Sequence, residues 1–347
     1  MKNSRIDYID FAKGFAILAI VLSHYLQPFS SGIMEKAIMF GGAGVHLFFL
    51  LSGFGLGLSS QHLNYSAFYK KRLVKIYIPY VIVILLIFCL SNLFDLYSPT
   101  SLYALGGHVF LYKMFDESIV GSFGYHFWFI STILQLYLVF PIIIKLKICT
   151  SSMVFVVLVM SLSIVFWFGS SLSGLADQRV VNSFFLQYLW EFSMGIVLAD
   201  MYIKNKYRFW KVNIAISFLL CVIGVGVTGV LAIKGGRVGK SFNDLFSLVG
   251  IFSSSVLCYW FLENYFKYGK RLILFIGSVS YELYLLHMVV FVFMSNVVLN
   301  RLSINNNIII SLLLMLPLAI LIATFYHSAL IEYVYKFKKV RVQKILE

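Results

Sequence analysis

The sequence has 347 residues, of which 61% are hydrophobic and only 12% are charged. A water-soluble domain carries about a quarter charged residues, so this composition excludes a protein whose whole surface faces water. The formal net charge is +14, from 28 Lys and Arg residues against 14 Asp and Glu residues. The composition therefore indicates an integral membrane protein.

Ten apolar stretches are each long enough to cross a bilayer, which takes about 20 residues. Backbone polar groups in hydrocarbon must be satisfied within their own segment, so these stretches are predicted to be helices. The predicted fold is an all-α, polytopic membrane bundle of about ten transmembrane helices. The predicted spans are Phe11–Phe29, Ala37–Leu58, Val74–Leu96, Phe127–Leu146, Met153–Leu172, Phe184–Ile203, Val212–Ile233, Asp244–Leu262, Leu272–Leu299 and Ile308–Ile331.

The charges in the loops predict an orientation. Most Lys and Arg residues lie on the side that holds both termini, and cytoplasmic loops carry such an excess. Both termini are therefore predicted to be cytoplasmic, and the net charge does not indicate a nucleic-acid partner. Residues 1–335 are the predicted transmembrane domain. The basic tail, residues 336–347, either lies on the anionic inner leaflet or is solvated.

The first predicted span carries ionisable side chains, which are costly inside a membrane. His24 follows Lys13 by about three helical turns, so both share one face, and Asp10 lies a turn earlier. His24 is expected about 16 Å deeper than Lys13, at about 1.5 Å per residue. His24 is the predicted general base, because neutral imidazole is the usual base near neutral pH. The alternatives are a structural hydrogen bond for His24 and a headgroup contact for Lys13.

Other spans also contain polar side chains, which either line a site or bond to a neighbouring helix. For Glu191, a packed ion pair is as good an explanation as a chemical role. The longest outer loop, about Tyr97–His126, is long enough for local structure and is a candidate for function. The candidate site residues in these spans are His46, Ser52, Trp128, Gln135, Tyr137, Glu191, Tyr281, Tyr284 and His287.

Four cations, Lys70, Lys71, Arg72 and Lys75, fall within six positions after the second span. Such a cluster at the cytoplasmic face suits a phosphorylated ligand. Contact with anionic lipid, or the ordinary excess of positive charge inside, also explains it, and the sequence alone favours these two explanations.

These segments, taken together and in order, resemble the acyltransferase-3 family of membrane-bound O-acyltransferases. The residues that match the family's motifs are Arg5, Asp10, Lys13, Gly14 and His24; Phe48, Phe49, Ser52, Gly53 and Phe54; Arg72, Lys75, Tyr77 and Pro79; Trp128, Gln135, Tyr137 and Pro141; and Gly277, Ser280, Tyr281, Tyr284 and His287. Two positions depart from the family. Lys13 stands where the family has Arg, so the charge is kept but the bidentate hydrogen bonding of a guanidinium is lost. Ile133 stands where many members have Glu.

The resemblance implies transfer of an acyl group, usually acetyl, from cytoplasmic acyl-CoA to a sugar hydroxyl of a surface glycan or lipid-linked glycan. Lys13 and the basic cluster would then hold the donor phosphates, and Asp10 would orient Lys13. His24 would deprotonate the acceptor hydroxyl or receive the acyl group itself. Acyl-CoA, the acceptor and membrane lipids are the expected partners, with no cofactor and no metal. The expected location is the bacterial cytoplasmic membrane. The rival interpretations are a surface polysaccharide or lipid exporter without acyl-transfer chemistry and a scaffold or sensor.

Overall fold

The computed structural model describes residues 6–59, 64–97, 100–204 and 213–346, and all regular structure within these ranges is helical. Arg5 and Val212, which belong to a predicted motif and a predicted span, lie outside the described residues. The side chains of the predicted basic tail lie outside them as well. The backbone of that tail continues the last helix as far as Leu346.

Sixteen α-helices are described. The first eight are α1 (Asp7–Leu26), α2 (Gly32–Met39), α3 (Gly44–Ser59), α4 (Tyr65–Arg72), α5 (Ile78–Phe94), α6 (Leu102–Val109), α7 (Trp128–Cys149) and α8 (Ser152–Leu172). The others are α9 (Arg179–Asn182), α10 (Phe185–Lys204), α11 (Ile214–Lys234), α12 (Gly236–Tyr265), α13 (Lys267–Ser278), α14 (Ser280–Phe293), α15 (Ile308–Ile310) and α16 (Leu316–Leu346). A π-helical turn, Leu73–Tyr77, joins α4 to α5, and a 3-10 turn, Tyr125–Phe127, precedes α7.

Nine helical segments within the described ranges are long and apolar enough to cross a membrane. These segments confirm the predicted all-α membrane bundle. The predicted sixth span is α10, whose 20 residues extend about 30 Å. Its polar residues reduce its hydropathy, but Gln187 and Glu191 are buried against neighbouring helices. We therefore count α10 as a tenth crossing helix.

The direction of the helices agrees with ten crossings. Gly14 of α1 contacts Gly277 at the end of α13, and His24 of α1 contacts His287 of α14. Moving along α1 from Gly14 to His24, the contacts move in the same chain direction from Gly277 to His287. α1 therefore runs parallel to α13 and α14. A first and a ninth span run in the same direction, whereas a first and an eighth span run in opposite directions. The α1–α14 pairing therefore requires that α10 also crosses.

α1 and α13 cross with their backbones in contact. A Cβ atom added at Gly14 would overlap the carbonyl oxygen of Ile273, and one added at Gly277 would overlap that of Asp10. Small residues allow helices in a membrane to approach this closely. The crossing aligns the two chain segments that lead to the histidines, because His24 follows Gly14 by ten residues and His287 follows Gly277 by ten residues.

α3 and α10 form a second crossing of the same kind. A Cβ atom at Gly53 would overlap the carbonyl oxygen of Phe192, and one at Gly195 would overlap that of Leu50. The two glycine crossings lie on separate helix pairs. His287 follows Gly277 by ten residues, about three turns, and His46 precedes Gly53 by seven residues, about two turns.

The predicted ninth span, Leu272–Leu299, is not one continuous helix. α13 ends at Ser278 and α14 begins at Ser280, with Val279 between them. The break directly follows Gly277, where α13 packs against α1. The apolar composition of residues 272–299 predicts that they lie in the membrane. It does not predict an interruption of the helix, because that interruption depends on packing against α1.

Candidate active site

One histidine from α1 and one from α14 form the centre of the site. Nδ1 of His24 lies 2.9 Å from Nε2 of His287. The two ring planes differ by only 11° and their centroids are 5.2 Å apart, so the rings meet edge to edge in nearly one plane. His287 is fully buried and His24 is half-buried. The shared plane aligns the hydrogen bond with the nitrogen lone pair.

The surroundings of His287 decide which nitrogen of each ring carries the proton. Nδ1 of His287 lies 2.8 Å from the carbonyl oxygen of Tyr284 and 3.1 Å from that of Leu283. Carbonyl oxygens only accept, so Nδ1 of a neutral His287 donates and its Nε2 accepts from His24. Nε2 of neutral His24 then carries a lone pair, and it makes no hydrogen bond to a described residue. That atom can accept a proton.

A third histidine, His126, lies beside this pair. Its ring centroid is 5.0 Å from that of His287 and 6.4 Å from that of His24. Both of its ring nitrogens are buried without a hydrogen-bond partner. The sequence analysis did not select His126, because it stands at the edge of a predicted span and a linear pattern does not identify tertiary neighbours.

The outer loop folds back into the bundle, which confirms the local structure predicted from its length. Lys113 of this loop is fully buried, and its Nζ donates to the carbonyl oxygen of Phe127 at 3.1 Å. Nζ also lies over the rings of Tyr80 and Phe127. Burial lowers the pKa of Lys113 to about 7. The sequence analysis did not select Lys113.

The predicted inner end of the site is confined to one helix turn. Nζ of Lys13 lies 3.5 Å from Oδ1 of Asp10, in a partly exposed pair. Both residues precede His24 along α1, and the helix separates Lys13 from His24 by about 16 Å. The structure therefore brings Asp10 and Lys13 together but does not bring either into contact with His24.

The basic cluster divides into one inward residue and three outward residues. The guanidinium carbon of Arg72 lies 5.1 Å from the ring centroid of Tyr137 and 5.5 Å from that of Phe68. Its Nε is buried and has no hydrogen-bond partner. Lys70, Lys71 and Lys75 are exposed at the same end of the bundle.

A separate cluster of one histidine and two carboxylates lies beside the crossing of α3 and α10. Nδ1 of His46 is 2.8 Å from Oε1 of Glu191, and Nε2 of His46 is 3.6 Å from Oδ1 of Asp244. Gln187 donates to the other oxygen of Asp244 at 2.6 Å. A protonated His46 would pair with both carboxylates. The three residues also have the ligand types and spacing of a cation site, so the expected absence of a metal stays a prediction.

The comparison with known families decides the class of this protein. The model of the acyltransferase-3 family, described as an acyltransferase domain, matches residues 6–327. The chain belongs to this family. No curated protein and no solved structure shows detectable similarity to it. The protein is thus a multi-pass membrane acyltransferase, and the family resemblance inferred from the sequence is confirmed.

Several predicted site residues of the acyltransferase hold its helices together. Oε1 of Gln135 accepts from the backbone N–H of Phe185 at 3.1 Å, at the start of α10. The hydroxyl of Tyr281 donates to the carbonyl oxygen of Ile76 at 2.6 Å. Both contacts lie outside the three-histidine cluster.

Only some of the other predicted residues of the acyltransferase lie beside the three-histidine cluster. Tyr284 is adjacent to the cluster, since its hydroxyl donates to the carbonyl oxygen of His126. The Trp128 ring stacks on Tyr188 at 5.5 Å between centroids. Ser52 is half-buried on α3 and makes no hydrogen bond within the described part of the chain. The structure therefore joins His24, Tyr284 and His287 and leaves Trp128 and Ser52 apart from them.

A cavity of about 500 Å³ lies elsewhere in the acyltransferase, between parts of α1, α3, α10 and α12. Apolar and aromatic side chains line most of it, including Tyr8, Phe252 and Tyr259. Tyr8 and His24 are about 160° apart around α1, at about 100° per residue, and so lie on nearly opposite faces. This cavity does not belong to the histidine cluster.

Proposed function

We propose that this acyltransferase moves an acyl group, most simply acetyl, from cytoplasmic acyl-CoA to a hydroxyl of a cell-surface glycan or lipid-linked sugar. It would act in the bacterial cytoplasmic membrane, with both termini in the cytoplasm. The observation that carries the proposal is the His24–His287 hydrogen bond, which leaves Nε2 of His24 as a base inside the bundle. Neutral imidazole is the usual general base near neutral pH.

In the proposed reaction, Nε2 of His24 accepts the proton of the acceptor hydroxyl as its oxygen attacks the thioester carbonyl carbon. The new carbon–oxygen bond forms, the carbon–sulfur bond breaks, and the leaving thiolate takes the proton back from His24. His24 is neutral again at the end. While His24 is protonated, its Nδ1–H still donates to His287, which stabilises the transient positive charge.

The inner end supplies groups for the donor. Coenzyme A carries several phosphates, and a guanidinium binds phosphate with two parallel hydrogen bonds. Arg72 is the first choice, because its Nε is unpaired and two aromatic rings hold its head group. Lys70, Lys71 and Lys75 add positive charge nearby, and Lys13 is a further cation about 16 Å before His24 along α1, at about 1.5 Å per residue. The depth of His24 suits an acyl group at the end of the long pantetheine arm.

The test compares surface glycans from cells with the wild-type protein, with His24→Ala and without the protein. We expect the acyl mass increment to disappear in the last two, while the amount of exported glycan is unchanged. His327→Gln serves as a matched control, since His327 pairs with Glu282 at 2.8 Å and lies outside the three-histidine cluster. This variant should keep the increment.

Two outcomes would overturn the proposal. If acylation is unchanged in cells without the protein, the glycan examined is not its acceptor. If the glycan itself fails to reach the surface in the His24→Ala cells, the exporter interpretation replaces acyl transfer.

A further inference from the structure

His126 is a buried histidine that the proposed reaction has not yet used. Only 5% of its surface is exposed, and neither Nδ1 nor Nε2 has a hydrogen-bond partner. Buried polar side chains in native proteins are almost always hydrogen-bonded, so an exception calls for an explanation. Here the unpaired ring lies next to the base, with centroids 6.4 Å apart.

The surroundings of His126 fix its backbone and leave its ring unpaired. Its own carbonyl oxygen accepts from the hydroxyl of Tyr284, and the next carbonyl, of Phe127, accepts from Lys113. Gly124, two residues earlier, has a φ of 127°, and a Cβ there would lie 2.8 Å from Cε1 of the His126 ring. A side chain at this position would displace the ring, so the local backbone is shaped to hold His126 in place.

No acidic group opposes a negative charge beside the His126 ring. Among the described residues, the titratable groups that act on it are His287, His24, Lys113 and His108, and none of them is a carboxylate. A preorganised donor in such surroundings stabilises an oxygen that becomes negative during reaction.

The spacing also fits a reacting carbonyl group. Its carbon must approach the acceptor oxygen held by His24, and its oxygen must lie about 2.7–3.1 Å from a donor. The His24 and His126 rings, with centroids 6.4 Å apart and planes at 65°, are in edge-to-face contact, so a reacting carbonyl would lie beside both rings and not between them.

We propose that the ring N–H of His126 donates a hydrogen bond to the oxyanion of the tetrahedral intermediate. This assignment rests on the proposed acyl transfer. The carbonyl oxygen gains negative charge when the acceptor oxygen bonds to the carbon, and loses it when the carbon–sulfur bond breaks. His126 gives a hydrogen bond throughout and transfers no proton. Lys113 is a positioning residue in this proposal, because its hydrogen bond holds the carbonyl of Phe127, the residue that follows His126.

The test measures initial rates of acyl transfer by purified variants across concentrations of acyl-CoA. We expect His126→Leu to reduce kcat by about 10²–10³-fold, the usual effect of losing one oxyanion donor, with little change in KM. His126→Asn and His126→Gln keep an N–H donor and should recover at least tenfold of that loss. His327→Leu is the matched control and should retain wild-type kcat. Thermal unfolding midpoints of all variants identify any that are misfolded.

The outcomes separate this assignment from the reaction itself. If His24→Ala is inactive while His126→Leu retains wild-type kcat, the His126 assignment fails and the proposed function stands. Equal losses in the Leu, Asn and Gln variants with unchanged unfolding midpoints would assign His126 a steric role and overturn the donor role. If the wild-type protein transfers no acyl group to any hydroxyl acceptor, both proposals fail together.

Discussion

Nδ1 of His24 and Nε2 of His287 lie 2.9 Å apart, although 263 positions of sequence separate the two residues. The contact forms because α1 and α13 cross at Gly14 and Gly277, which lets α14 follow α1. The bond selects the tautomer of His24, and with it the atom that can act as a base.

Replacing His287 should impair the reaction by releasing His24 from this tautomer. We expect His287→Phe to lower kcat by about 10²-fold or more, in the range typical of lost acid–base catalysis. His287→Gln keeps an acceptor oxygen and should be less affected. The measurement is kcat and its pH profile with the acceptor saturating. A purely structural role for His287 would change the unfolding midpoint equally in both variants and leave the pH profile unshifted.

The second glycine crossing offers a test on a single helix. Gly53→Ala places a methyl group against the carbonyl of Phe192 and should force α3 away from α10, whereas Gly55 has no atom within 4 Å of an added Cβ. Overpacking costs about 1–3 kcal/mol, so we expect a lower thermal midpoint for Gly53→Ala. Gly55→Ala should match or exceed the wild type by up to about 1 kcal/mol. Equal midpoints for the two variants would contradict the backbone contact.

Arg72 should affect donor binding more than the exposed lysines do. Arg72→Lys keeps the charge but loses the bidentate geometry, so we expect a several-fold higher KM for acyl-CoA and little change in kcat. Lys70→Gln, on the exposed surface of the same cluster, should have a smaller effect that weakens as salt is added. The measurement is the KM for acyl-CoA at two ionic strengths. An unchanged KM for Arg72→Lys would contradict the assignment of Arg72 to the donor phosphates.

Lys113 should make stability depend on pH. Burial lowers its pKa to about 7, so between about pH 7 and pH 10 the unfolded chain binds more protons at this site than the folded chain does. Stability at this site therefore rises with pH through that window, and the cost of burying the charge is complete below it. We expect the thermal midpoint of the wild type to rise more between pH 7 and pH 9 than that of Lys113→Met. Parallel curves for the two proteins would show that Lys113 does not titrate in this window.

Much of the fold followed from the sequence, because apolar runs of about 20 residues leave little choice but membrane helices. The spacing of Asp10, Lys13 and His24 on one helix face also followed, since helical periodicity is local. The pairing of His24 with His287 did not follow, because periodicity places a side chain on a face without naming its partner. His126 and Lys113 were missed for a related reason. Both belong to a loop whose burial depends on tertiary contacts.

The backbone crossing at Gly14 and Gly277 also limits how the reaction can span two compartments. The crossing fixes the position of α1, which carries His24, and the coplanar hydrogen bond to His287 fixes the orientation of the His24 ring. A histidine held at both points cannot shuttle an acyl group across the bilayer by swinging. In the proposed reaction, the two substrates would instead meet at one fixed depth, which each would reach from its own side. Access to His24, more than movement of His24, would then determine which acceptors are used.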